Sequence, residues 1–120
     1  MIERNEEREN RIYDEAIVDA YGSEERSLGW YYYLEERMTF PFKARCIASR
    51  KTSLLKVGEV VEVLEMADEY DCMSDMIVLI RFGDRTVGVP LAQLEPTTGD
   101  TTMTEAIEDW HYWVSRGYEF

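Results

Sequence analysis

Between two valine- and isoleucine-rich segments lies ADEYDCMSD, residues 67–75, which holds Asp68, Glu69, Asp71 and Asp75 and no Lys or Arg. Like charges this close repel one another. Either solvent and salt screen them, or a cation sits among them. The chemistry open to such a set is hard-cation binding. Calcium takes roughly six to eight oxygens in flexible geometry, many of them from Asp and Glu, whereas magnesium demands a stricter octahedron and keeps its waters. The Ser74 hydroxyl and the loop carbonyls would add further oxygens. The loop is not an EF-hand. Counted from Asp68, the third, fifth, sixth and twelfth positions are Tyr70, Cys72, Met73 and Leu79, and counted from Asp71 no glycine or closing glutamate follows. A calcium site here must be assembled by the fold, and Glu35 and Glu36 are candidates to complete it. A solubilising, negatively charged hairpin tip is the other reading of the same loop. Both readings stand at this point.

Other chemistries find less material. His111 is the single histidine, set in DWHYW without a neighbouring nucleophile or second ligand, and neither HExxH nor GxSxG occurs. It is expected to pack or to face solvent, and no enzymatic activity is expected. No glycine-rich phosphate loop is present, and two cysteines with one histidine are too few for a zinc site. Cys46 and Cys72 form no CxxC pair and read as two reduced thiols. The aromatic run Trp30 to Tyr33 and the group Trp110, Tyr112 and Trp113 could stack bases or grip a cation. The reading preferred for them is packing of the flanking helices.

Charge narrows the partners. The chain has 25 acids against 13 bases, a net of -12 over 120 residues. Such a molecule is repelled by nucleic-acid phosphates and by anionic membranes and attracts cations or basic proteins. Residues 1–37 carry 11 acids and 5 bases, residues 38–66 carry 3 and 5, and residues 97–120 carry 5 and 1. The acid thus sits at the two ends and in the 67–75 loop. No apolar run has the length of a membrane span, and the charged start MIERNEEREN has no apolar signal core, so a cytoplasmic location is expected.

The elements that must position these residues follow from periodicity. The length suits a single domain, residues 1–120, with a helical part over 1–37, a β-barrel over 40–96 and a helix over 100–117. Ile12, Ala16, Ile17, Ala20 and Tyr21 fall at helical spacing and Gly22 is a stop. Ser23 is expected to cap a second helix that carries Leu28, Trp30, Tyr31, Tyr32 and Leu34 and ends near Arg37. Strands are expected over 42–50, 58–66, 76–82 and 85–89, with a turn at Lys56-Val57-Gly58 and a tight hairpin at Gly83-Asp84. LAQLE reads as a short helical turn and a last strand fragment. Thr102 and Glu105 form a capping-box pattern, Met103, Ile107, Trp110 and Val114 make one apolar stripe, and Gly117 is the stop. The predicted fold class is α+β: a small SH3-like antiparallel β-barrel flanked by N-terminal helices and a C-terminal helix, the SH3 likeness being an analogy.

Three strings, IVDAYGSEERSLGWYYYLEERMTFPFKARCIA, VPLAQLEP and EDWHYWVSRGYEF, resemble the small acidic calcium-binding proteins of the cyanobacterial type. The likeness runs from about Arg11 to Phe120. It implies Ca²⁺ binding through clustered surface carboxylates without EF-hands, and a role as an intracellular calcium buffer or sensor in calcium signalling. The acidic pair after WYYYL, here Glu35 and Glu36, and the acidic loop, here Asp68, Glu69, Asp71 and Asp75, are the implied ligand candidates. The alternative function is an SH3-like protein-interaction module whose acidic face docks a basic protein partner.

Overall fold

Asn5 starts the first helix. Its side-chain oxygen accepts from the Arg8 amide at 2.9 Å, one of the donors that a helix start leaves free. A computed structural model describes residues 3–120. Helix α1 (Glu6–Arg11) runs on through a π-helical turn, Ile12–Ala16, closed by the Ile17 amide donating to the Ile12 carbonyl at 3.0 Å. The helix predicted to reach Gly22 therefore breaks earlier. Ile12, Ala16 and Ile17 are buried, but Tyr21 is 82% exposed, so the apolar periodicity overshoots the packed face. After the break comes helix α2 (Ser23–Arg37), which presses on the π turn through Gly29. A Cβ at Gly29 would lie 2.4 Å from the Ala16 carbonyl oxygen, so only glycine admits that approach. Ser23 is the first residue of α2 rather than its cap; Gly22 takes the cap position without a side-chain bond.

Strands β1 (Phe42–Cys46), β2 (Val60–Met66), β3 (Ile77–Phe82), β4 (Arg85–Pro90) and β5 (Leu94–Pro96) form one antiparallel sheet in the order β4-β3-β2-β1-β5. β1 alternates buried and exposed residues, with Phe42, Ala44 and Cys46 facing the core. It stops four residues short of the predicted Arg50, because the chain turns away after Ile47 donates to the Gln93 carbonyl at 2.7 Å. The barrel expected from the sequence is not closed, since no ladder joins β4 to β5. A 3₁₀ turn, Leu91–Gln93, lifts the chain off the β4 edge, with the Leu91 amide donating to Met76 at 2.8 Å, and β5 has only three residues with which to pair.

Helix α3 (Thr101–Ser115) is capped by Asp100, whose carboxylate accepts from the Met103 amide at 2.7 Å, so the predicted Thr102 box is not the cap. Gly117, at φ 78°, ends it in the left-handed region where a side chain would be strained. The core lies between the helices and the inner sheet face. Trp30 of α2 meets Trp110 and Trp113 of α3 at ring-centre distances of 5.1 and 5.7 Å, and Val63, Val78 and Ile80 are buried on the sheet side.

Polar links tie α1 to α3. Glu9 is buried, and its carboxylate accepts from the Tyr112 hydroxyl at 2.5 Å and the Tyr118 hydroxyl at 3.0 Å. The Tyr112 bond holds this carboxyl below the usual glutamate range, against the opposing pull of burial. The folded pKa thus lies below the unfolded one. The stabilisation is present above the ordinary carboxylate pKa and is lost as pH falls through the folded value. Urea titrations over a pH series should show Glu9→Gln with a shallower loss of stability on acidification than the parent. Parallel curves would assign the acid sensitivity to other groups.

Candidate metal centre

The acidic loop is shaped by its own first residue and by α2. Asp68 accepts from the Tyr70 amide at 2.8 Å through its side chain and from the Asp71 amide at 2.9 Å through its carbonyl, which closes the 3₁₀ turn Glu69–Cys72. The Ala67 amide donates to the Ile77 carbonyl at 3.0 Å, so the loop leaves β2 and rejoins β3 at one point. Two adjacent tyrosines of α2 grip it. Tyr31 donates its hydroxyl to the Ala67 carbonyl at 2.8 Å, and Tyr32 donates to the Glu69 carboxylate. One helical turn beyond Tyr31, on the same side of α2, stands Glu35.

These contacts leave an open cleft of about 550 Å³ between the end of α2, the end of β2 and the loop. Glu35, Glu65, Asp68 and Asp71 are among its lining residues, with Tyr31 and Phe40 as aromatic walls, and no Lys or Arg lines it. Glu65 was not singled out by the sequence reading. It sits just past a register shift between Val63 and Glu65, where β2 carries one extra residue against β3. Its signal was its place directly ahead of the acidic run, in EMADEYD.

The other candidates lie outside this cleft. The Glu36 side chain is 72% exposed and pairs with Arg37 at 3.8 Å. Glu69 faces a separate recess with Glu24, Leu28 and Tyr70. Asp75 is bound by Arg50 at 3.0 Å, so the loop that looks uncompensated in sequence receives one cation from the β1–β2 connection. His111 is half-buried, and that burial pushes it below the usual imidazole range.

The field at this end of the molecule is negative, and two neighbours register it. Burial, then the charge of Glu35, pushes the Tyr31 phenol above its ordinary pKa. Burial also pushes the Cys72 thiol up; the Ile77 amide pulls it back, and the charges of Asp71, Asp75 and Asp68 add to the rise. The donors in the cleft are oxygens, which suits a hard cation and not a thiolate- or imidazole-seeking metal. Among the described residues no three His, Cys, Asp or Glu side chains stand close enough together to hold a metal ion as they are placed. A cation held here would have to draw the carboxylates together, which the flexible coordination of calcium tolerates better than the rigid octahedron of magnesium.

Comparison with known proteins gives a concordant result. A family model, CcbP, described as calcium binding, matches residues 10–114. The chain is similar to the crystal structure of CcbP from Anabaena, with 45% identity and a TM-score of 0.86 over 99% of this chain and 98% of that one. It is also similar to a calcium-binding protein solved in its calcium-binding form, with 44% identity and a TM-score of 0.86 over 98% of this chain and 96% of that one. No curated protein sequence matches.

Proposed function

From the premise that this chain belongs to the CcbP family of calcium-binding proteins, we propose that it takes up Ca²⁺ in the cleft formed by Glu35, Glu65, Asp68 and Asp71. Calcium binding is the function that the family carries, and the family is described by an ion and not by a reaction. The observation that supports the placement is the meeting of acids from α2, β2 and the loop in one cleft without a lining base. The acids stand apart, so binding contracts the cleft, and Tyr31 and Tyr32 couple that contraction to α2. That coupling favours a sensor over a buffer, because buffers barely change shape on binding. A cytoplasmic setting belongs to this reading and draws support from two free, buried thiols, Cys46 and Cys72. The finer fold reading, an SH3-like barrel open at one seam, draws support from the strand order and from the single 3₁₀ turn that bridges the edge strands.

The test is a calorimetric titration of chelator-stripped protein with calcium, with magnesium as the control. Saturable binding in the micromolar to millimolar range, roughly 10⁻⁶ to 10⁻³ M, is expected for calcium and not for magnesium. Melting temperature should rise with calcium by mass action. Calcium heats that do not saturate, with an unmoved melting temperature, would sink the proposal. A basic protein partner is a second reading, favoured by Tyr70, which is 83% exposed among the loop acids. Capture that persists unchanged in chelator would separate it from the calcium site.

A further inference from the structure

The loop 67–75 has a counterpart of opposite sign. From Thr39 to Gly58 the chain carries Lys43, Arg45, Arg50, Lys51 and Lys56 and no acid. In the fold this stretch is β1 and the connection to β2, whose two arms are held by the Cys46 amide donating to Glu59 and the Gly58 amide donating to Cys46, both at 2.8 Å. Leu55 is buried and anchors the connection, while Leu54 and Val57 are 60% and 63% exposed, with Val60 at 53% and Ile47 at 40% beside them. Arg45 and Arg50 have carboxylate partners in Glu95 and Asp75. Among the described residues no carboxylate lies within ion-pair distance of Lys51 or Lys56.

We propose that the β1–β2 connection is a membrane-docking loop that inserts Leu54 and Val57 into an anionic lipid surface while Lys51 and Lys56 meet the headgroups. None of these residues lines the calcium cleft, and the proposal does not rest on that site. Two aliphatic side chains at a loop with flanking lysines have the composition of an interfacial anchor. A protein partner fits worse, because protein interfaces are depleted in lysine and draw their affinity from Trp, Tyr and Arg, none of which is an exposed, unpaired member of this patch. The net charge of -12 does not forbid the contact. Screening at physiological salt acts over about 8 Å, so the charges nearest the loop weigh more in the contact than the net charge of the molecule. Two acids touch this loop: Asp75 is already held by Arg50, and Glu59, the last residue of the connection, turns its carboxylate to the Lys56 amide at 2.6 Å and leaves the Lys56 ammonium free.

The experiment is co-sedimentation of the full chain with vesicles of equal parts phosphatidylglycerol and phosphatidylcholine, in chelator so that calcium bridging cannot contribute. Binding is expected, weakened by salt and absent on pure phosphatidylcholine. Lys51→Glu with Lys56→Glu should lower the partition coefficient at least about tenfold. Leu54→Ser with Val57→Ser should lower it comparably, and both variants should melt like the parent because the altered side chains are exposed. No sedimentation with the anionic vesicles, or unchanged sedimentation of the lysine variant, overturns the proposal. Vesicle binding that fails while immobilised poly-glutamate retains the protein would overturn it in favour of an acidic protein as the occupant.

Discussion

Asp109→Ala should cost the fold about 3–5 kcal/mol, the loss typical of removing one partner from a buried ion pair. Asp109 is fully buried in the middle of α3. Its carboxylate accepts from Arg8 at 2.8 Å, from Arg11 at 2.7 and 3.0 Å and from the Tyr33 hydroxyl at 2.7 Å. One side chain of α3 thereby holds α1 and α2. Arginine stays protonated in proteins, so neither guanidinium relieves the loss of the carboxylate by deprotonating. Removing the carboxylate leaves two largely covered guanidinium groups with only the longer contacts to Glu108 at 3.6 Å and Glu105 at 3.5 Å, and a buried phenol without its acceptor. Melting temperature should fall by more than about 10 °C for a chain of this size, and amide exchange in α1 should quicken more than in the sheet. A loss under about 1 kcal/mol would show instead that α1 is held by the Glu9 hydrogen bonds and by the apolar contacts of the π turn that follows it, and that the Asp109 charges only offset their own desolvation.

The same residue shows where sequence reasoning stops. In EDWHYW, Asp109 stands next to Glu108 and reads as a solvated acid on a helix. Nothing local distinguishes the one that is 59% exposed on its side chain from the one with no exposure. Its two arginine partners lie about a hundred residues upstream, in the acidic start of the chain, and its tyrosine partner lies 76 residues upstream in α2. Arg50 and Asp75 repeat the lesson across 25 residues. Periodicity did locate α2, α3 and the strands to within a few residues, because burial of one face imposes its period on the sequence. It overran at Tyr21, where an apolar residue is exposed, and at Arg50, where the chain turns after one edge hydrogen bond. Caps were misplaced by one or two residues, since Asp100 is as good an acceptor as a threonine nearby. The openness of the sheet depends on how a 3₁₀ turn and a three-residue strand meet, which no single-strand pattern encodes. Of the candidate site, Asp68 and Asp71 stood out as part of a loop without a base in its sequence, and Glu35 was named with Glu36 as a carboxylate that could complete it. Glu65 was hidden inside a strand whose bulge turns it toward the cleft.

Replacing Asp68 and Asp71 together by asparagine should weaken calcium binding by at least about a hundredfold, since affinity at such sites is set by the number of ligand charges. Asparagine is the informative substitution. It keeps an oxygen able to accept from the Tyr70 amide, so the Glu69–Cys72 turn keeps its cap while the charge is lost. The calcium-free double variant should be as stable as the parent or more so, because two repelling charges are gone. The calcium-induced rise in melting temperature should disappear with the affinity. Glu35→Gln and Glu65→Gln should each weaken binding by a smaller factor, while Glu36→Gln, whose carboxylate lies outside the cleft beside Arg37, should leave it within about twofold. Asp75→Asn divides the geometry most sharply. Asp75 faces Arg50 and lines an aromatic groove near Trp110, a recess separate from the cleft that Asp68 and Asp71 line. If that single variant weakens calcium as much as the double one does, the ion sits on the Arg50 side of the loop and displaces the guanidinium, and the cleft beside Glu35 is not the site.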